Sequence, residues 1–472
     1  MKETMEMISL NWSRLGRRTV GAAASLALLG SLGGCQEETP VTFEPNLVKA
    51  HQIEMTEGIE MELALEDTQW VLHKMFGTPD DPKIPEPILE DEALASLLSL
   101  ERLQAASGPV DAEGRGLYRE HCATCHGITG NGRGRTAALI HPYPRDYRMG
   151  VFKFKTTERG AKPTREDIAH AIREGIAGTA MVKIPSLTEE DIQALTDYVI
   201  YLSIRGELER LMLEDVSLYG LYIPEEPEEE EEDAAADGEA TADEEAVAEM
   251  PRLINPALEN SPEDSEERAT YDEQMSYIVE HLNDEIATAW LEAEDEVVEV
   301  TLPEDLPLPQ NYEAFQAMME GEQAEALQAS VDRGQQLFIG KIALCSKCHG
   351  EKGTGDGQTN DYDEWTKDWT VRAGLKPEDY ESLIPLIARG ALPPRNIHPR
   401  NFAEGIFRGG GRPEDLYRRI HEGIAGTPMP AATFVEGEFE ERDVWHLINF
   451  IRSLDEGKQP TDPGPTEMAA NE

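Results

Sequence analysis

The sequence predicts an all-α protein: two copies of one small helical domain joined by a long, acidic, partly disordered connector. Three observations carry this. First, a set of short segments occurs twice in the same order. Second, each copy closes on an apolar stripe at helical spacing: Ile192, Leu195, Val199 and Leu202 in one, Val444, Leu447, Ile451 and Leu454 in the other. Third, the charge of −51 is unevenly spread. Residues 111–210 carry 15 basic and 14 acidic side chains, and residues 331–457 carry 16 and 21, whereas residues 211–330 hold Arg252 and Arg268 against 37 acids. The two lobes are therefore near neutral and the connector holds the charge. Such a chain is not a nucleic-acid binder.

The first 35 residues read as an export signal. Arg14, Arg17 and Arg18 form a positive n-region, Val20 to Leu32 is a short apolar run, and Leu32-Gly33-Gly34-Cys35 follows. This layout resembles a bacterial lipobox, which implies lipidation of Cys35 and a membrane-anchored protein on the periplasmic side. An ordinary signal peptide with a chance Cys is the plainer alternative. No later stretch has the 18 or so apolar residues of a membrane span. Residues 36–110 are an acidic N-terminal extension. Met61 to Met75 has the spacing of a short helix, and the Pro-rich run Pro79 to Pro87 reads as an extended tether.

The first lobe, 111–210, opens with Gly114 and Tyr118, four apart on a helix leading to Cys122-Ala-Thr-Cys125-His126. The second, 331–457, has Gly334 and Phe338, then Cys345-Ser-Lys-Cys348-His349. A glycine facing an aromatic allows another helix to approach closely, and the terminal helix of each lobe is the candidate. C-x-x-C-H is the attachment signature of c-type haem. Two thiols about one helical turn apart reach the two vinyl groups of one porphyrin, and the next histidine falls under the iron. Two motifs call for two covalent haems. A thioredoxin-like dithiol would need a βαβ context, and a zinc site would need the motifs to pool ligands across the connector.

The second half of the repeat supplies candidate sixth ligands. Gly175-Ile-Ala-Gly-Thr-Ala-Met181 matches Gly423-Ile-Ala-Gly-Thr-Pro-Met429 at six of seven positions. Met181 and Met429 stand 55 and 80 residues after their histidines, just before the last helix. His141 and His398 are the rivals; they precede Pro144-Arg-Asp-Tyr147 and Pro399-Arg-Asn-Phe402. Two histidines lower a haem's potential and His/Met raises it. In lobe two, Gln358 to Ile397 is an insertion, read as a surface excursion with a helix around Pro377 to Ala388.

Together these features resemble tandem class I cytochrome c domains. The resemblance implies small all-α domains, His/Met haem and electron transfer to redox protein partners. It also implies a proline carbonyl accepting the proximal histidine N–H, for which Pro144 and Pro399 are the candidates. The leading reading is a lipid-anchored di-haem electron carrier and not an enzyme. The alternatives are a cytochrome subunit of a larger respiratory complex and a di-haem peroxidase, which needs one releasable sixth position. In the connector, 224–249 is low-complexity acid expected to stay disordered. Tyr271 to Val300 recovers helical periodicity and should pack on a haem lobe. Thr301 to Gln310 and the tail, 458–472, are expected to be unstructured.

Overall fold

A 30-residue helix, Glu189–Leu218, is the axis of the first half of the molecule. The computed structural model describes residues 41–111, 114–223, 250–357 and 361–457. Cys35 of the expected lipobox, the acidic run 224–249 and the tail from 458 lie outside the described residues. From Thr42 onward the chain folds as one unit. Among the described residues no helix is long and apolar enough to cross a membrane. Among the described residues the sheet content is one antiparallel pair, β1 (Asp361–Tyr362) with β2 (Asn396–Ile397), so both C-x-x-C-H motifs sit in helical surroundings.

The long helix starts on a capping box in which Thr188 and Asp191 satisfy each other's backbone N–H groups. It runs past the end of the expected domain because both its sides are covered. One side carries Ile192, Leu195 and Leu202 toward the first haem lobe. On the other, helices Leu47–Glu57, Glu62–Phe76 and Leu100–Ala106 of the extension pack against it. A surface helix shows one apolar stripe; this one is buried on all sides, with Tyr198, Tyr201, Leu208 and Leu213 each at most 1 % exposed. Its buried charges have partners. Asp197 accepts from the Ser99 N–H and the Arg102 guanidinium, and Glu209 from the Asn46 N–H and Gln69.

The Pro-rich run is not a tether. Lys83 N–H donates to the Phe76 carbonyl, Gly77 bridges Pro82, and Ile84 and Ile88 are buried in the same core. Tyr271, Ile278, Leu282, Ile286 and Trp290 of the connector join that core too. Trp290 packs edge-on against Phe152 of the first lobe, 5.8 Å between ring centres, and donates to Glu207 at 3.0 Å.

A second core, from Leu327 to Ile451, holds the second lobe together. Its main crossing joins helices Ala324–Ile339 and Asp443–Ser453. Here the glycine expectation holds: a Cβ on Gly334 would lie 2.0 Å from the His446 carbonyl oxygen. In lobe one it does not. The helix begins only at Leu117, because Gly116 enters with φ +85°, and Gly114 faces open space. Tyr118 alone makes the contact, 5.0 Å from Tyr198. Residues 301–310 are ordered against the second core: Leu306 and Leu308 pack on it, and the buried Asn449 donates to the Pro307 carbonyl at 2.9 Å.

The insertion is a packed element as well. Its expected helix is present as Tyr380–Ala388. Trp369, Leu383, Leu386 and Ala391 form a third core with Val48 of the extension, and Arg210 of the long helix pairs with Asp368 at 2.7 Å. The two lobes are in direct contact and are not separate bodies on a flexible connector. Arg395 donates to the Ile140 carbonyl at 2.8 Å, Tyr143 to the Pro393 carbonyl at 3.0 Å, and Trp365 to the Asp146 carbonyl at 3.2 Å.

Candidate haem sites

Each site starts from a helix of four or five residues, Ala123–His126 in lobe one and Cys345–His349 in lobe two, stopped by Gly127 or Gly350. Both stopping glycines have φ +75° and ψ 159°. The loop that follows folds back identically in the two lobes. Gly132 N–H donates to the His126 carbonyl and Gly355 N–H to the His349 carbonyl, both at 2.9 Å. Tyr147 N–H then reaches the Gly130 carbonyl and Phe402 N–H the Gly353 carbonyl, both at 2.8 Å. These bonds place an aromatic face on each histidine. His126 stacks on Tyr147 at 5.0 Å and 12°, and His349 on Phe402 at 4.7 Å and 18°.

The carbonyl behind the histidine is one residue later than expected. His126 Nδ1 donates to the Arg145 carbonyl at 3.2 Å, not to that of Pro144. His349 Nδ1 faces the Arg400 backbone, not Pro399, without closing a hydrogen bond. The loop glycines give the reason. A side chain on Gly132 would lie 2.8 Å from the Pro144 carbonyl oxygen, and one on Gly355 2.6 Å from that of Pro399. The proline carbonyls abut the Gly-rich loop, which leaves the next one to face the ring. A partner on Nδ1 fixes the tautomer and leaves Nε2 as the metal-binding nitrogen.

Burial pushes both His126 and His349 down to about 4, so each ring is neutral, the form that ligates iron. Burial also pushes Cys122 up to about 12 and Cys345 to about 11. These thiols stand in apolar surroundings suited to a porphyrin edge.

The methionine loops repeat the same bonds to within half an ångström. In lobe one Ile176 N–H donates to the Met181 carbonyl at 2.7 Å, and Thr179 Oγ1 accepts from Met181 N–H at 3.1 Å while donating to the Ile176 carbonyl at 2.8 Å. In lobe two Ile424, Thr427 and Met429 make the same bonds at 3.2, 3.2 and 2.8 Å. The shared Gly-Thr-x-Met spelling is thus a turn closed by its threonine hydroxyl. Met181 and Met429 are half-buried; the rivals His141 and His398 are exposed.

Haem fits these residues. The haem c ring carries two carboxylates, and the surroundings are cationic despite the acidic chain. The Nε groups of Arg400 and Arg408 are buried without partners, and an unmet buried donor calls for an acceptor. Sequence reasoning did not single out Arg145, Arg400, Tyr147 or Phe402 as site residues. The repeated Pro-Arg-x-aromatic spelling was their signal.

No curated protein matches the chain. Among solved structures, a chain of the Kuenenia stuttgartiensis reducing HAO-like protein complex is similar at 22 % identity, covering 74 % of this chain and 97 % of that one, with a TM-score of 0.38. The cytochrome c family model matches two separate regions, residues 112–203 and 331–455. The chain carries two cytochrome c domains in tandem, and with them the covalent haem c and haem-based electron transfer of that family.

Proposed function

We propose that this chain is a di-haem electron carrier. Cys122 and Cys125 would hold one haem, with His126 and Met181 as ligands to its iron; Cys345 and Cys348 would hold the other, with His349 and Met429. The observation that carries the reading is the duplication of the whole site. Both lobes have the same stacked, neutral histidine and the same threonine-closed methionine loop. Two equally built sixth-ligand loops suit two closed, six-coordinate centres. A peroxidase would need one loop to differ.

The haem supplies an iron that accepts and releases one electron. The protein's residues orient and protect it. Arg145 and Tyr147 fix the His126 ring, Phe402 fixes His349, and the buried cations offset carboxylate charge. The carrier reading assigns no residue acid–base work. Its donor and acceptor are redox proteins. It works on the periplasmic side, held to the membrane by lipid on Cys35.

The test is spectroscopic. Mass spectrometry of the matured protein should find two haem masses that survive denaturation. The ferric protein should be low-spin at both sites with a sulfur-to-iron charge-transfer band, and the ferrous protein should resist carbon monoxide. A high-spin haem that turns over peroxide would replace the carrier by a peroxidase.

A further inference from the structure

Arg159 belongs to lobe one, in the turn after Thr157, but its side chain serves lobe two. One terminal nitrogen donates to the Met429 carbonyl at 2.7 Å and the other to the Thr427 carbonyl at 3.1 Å. Its backbone N–H donates to the Glu422 carboxylate at 3.2 Å. A side chain on Gly423, where the loop begins, would meet the same guanidinium at 2.6 Å. The cation therefore lies against the start of the loop and holds the backbone of its last three residues.

The other side of the loop is braced by the insertion. Glu364 N–H donates to the Gly426 carbonyl at 3.2 Å, and the Trp365 ring fills the space that a side chain on Gly426 would need, 2.3 Å away. Trp365 is itself pinned to lobe one through the Asp146 carbonyl and the Arg145 guanidinium, which sits 3.3 Å over its ring. The lobe-one loop receives one corresponding bond from the opposite lobe, Arg408 to the Gly178 carbonyl at 3.3 Å.

We infer that Arg159 is a positioning residue for the second haem site. Lobe one fixes the loop that presents Met429, so ligation at the second iron depends on the first lobe being docked. The inference rests on the reading of Met429 as sixth ligand. The physical ground is loop entropy. Gly423 and Gly426 adopt φ near +70°, and glycines leave the loop many competing conformations. A thioether is a neutral, weak ligand, so its occupancy follows how well its loop is held. Two charge-assisted bonds, to the carbonyls of Thr427 and Met429, hold this one.

The experiment uses the full-length, haem-loaded protein. Carbon monoxide binding to the ferrous form is scaled to Met429→Ala, which marks a fully open second site. Arg159→Leu should raise the fraction of second-site haem open to carbon monoxide about tenfold over wild type, and weaken the sulfur-to-iron band there. Arg159→Lys, which keeps the charge and one donor, should fall between. Arg395→Leu is the control, since it breaks seam bonds to Ile140 and Ala138 away from the loop. Unchanged carbon monoxide resistance in Arg159→Leu overturns the inference. So does equal opening in Arg395→Leu, which would mean general undocking. A wild-type second site that lacks the sulfur band overturns the Met429 reading, and the inference with it, before any variant is made.

Discussion

Gly334→Ala should destabilise the second lobe, although the same change in an exposed helix stabilises. The residue lies inside helix Ala324–Ile339 where it crosses Asp443–Ser453. An added methyl would sit 2.0 Å from the His446 carbonyl oxygen, 2.6 Å from its carbon and 2.8 Å from Phe450 Cβ. Non-bonded heavy atoms prefer about 3.5–4.0 Å, so the helices must move apart by more than an ångström. Removing a helical glycine gains about 1 kcal/mol. Overpacking costs about 1–3 kcal/mol, and the obstacle here is backbone that cannot change rotamer. The separation also stretches the Ser330–His446 and Asn449–Ser330 bonds, both 2.8 Å, and the Phe338–Phe450 contact at 5.1 Å. The net expectation is a loss of about 1–2 kcal/mol, with Gly334→Val worse. Urea unfolding of matured protein, followed at the second haem, measures it. A Gly334→Ala protein as stable as wild type would refute the close-crossing argument.

Three further outcomes follow from named contacts. Asp67, 3 % exposed, accepts from Arg252 Nε at 2.9 Å and Tyr222 at 2.8 Å; Asp67→Ala strands the partly buried guanidinium and should cost about 3–5 kcal/mol by denaturation, with faster amide exchange at Leu253 and Ile254. Burial works against ionising Asp368, but its bonds to Arg210 and the nearby Lys49 and Arg372 charges outweigh this and hold its carboxyl below the ordinary 3.8. A depressed carboxylate stabilises fully above its unfolded value and loses that contribution as pH falls through the folded one, so docking of the insertion should weaken only below pH 3.8, and Arg210→Met should abolish that acid limb in a pH series of unfolding curves. Cys35→Ser should move the protein from the membrane to the soluble fraction; unchanged fractionation would point to attachment through a protein partner.

The helical character, the repeat and the local closure of each site were legible because they depend on residues close in sequence. Thr188 and Asp191 cap their helix within three residues, and the Thr179 and Thr427 hydroxyls close loops of seven. What was not legible depends on distant partners. Residues 301–310 read as disordered from their prolines and acids, yet Leu306 and Leu308 find the second core and Asn449 requires the Pro307 carbonyl. The Pro79–Pro87 run reads as a tether until Ile84 and Ile88 meet the long helix's core. The carbonyl behind His126 was misplaced by one residue, because the identity of the acceptor turns on how tightly Gly132 lets Pro144 approach. The repeat also suggested that Gly114 matches Gly334, whereas Gly116 delays the lobe-one helix past it.

The two sites are alike in their proposed ligands and unlike in support, and the difference follows from where the additional chain was placed. Lobe one is braced by the extension before it and the connector after it, which share its core. Lobe two keeps a smaller core of its own and takes the rest of its support from the seam. Several of the seam's cations are buried: burial lowers Lys153 to about 8 and Arg145 to about 10. In a chain of charge −51 carboxylates are plentiful, and Lys153 pairs with Asp363 at 3.5 Å and Arg210 with Asp368 at 2.7 Å. Three other cations take a different partner: Arg159, Arg395 and Arg408 are spent on backbone carbonyls of the opposite lobe. A carbonyl leaves the positive charge of its donor uncancelled, whereas an ion pair neutralises it. The acidic side chains lie mainly in the connector and extension. Positive charge near an iron favours its ferrous state, the same direction in which a thioether ligand acts. On the proposed His/Met ligation, the docking cations and the thioethers would therefore act on the haem potentials in the same direction.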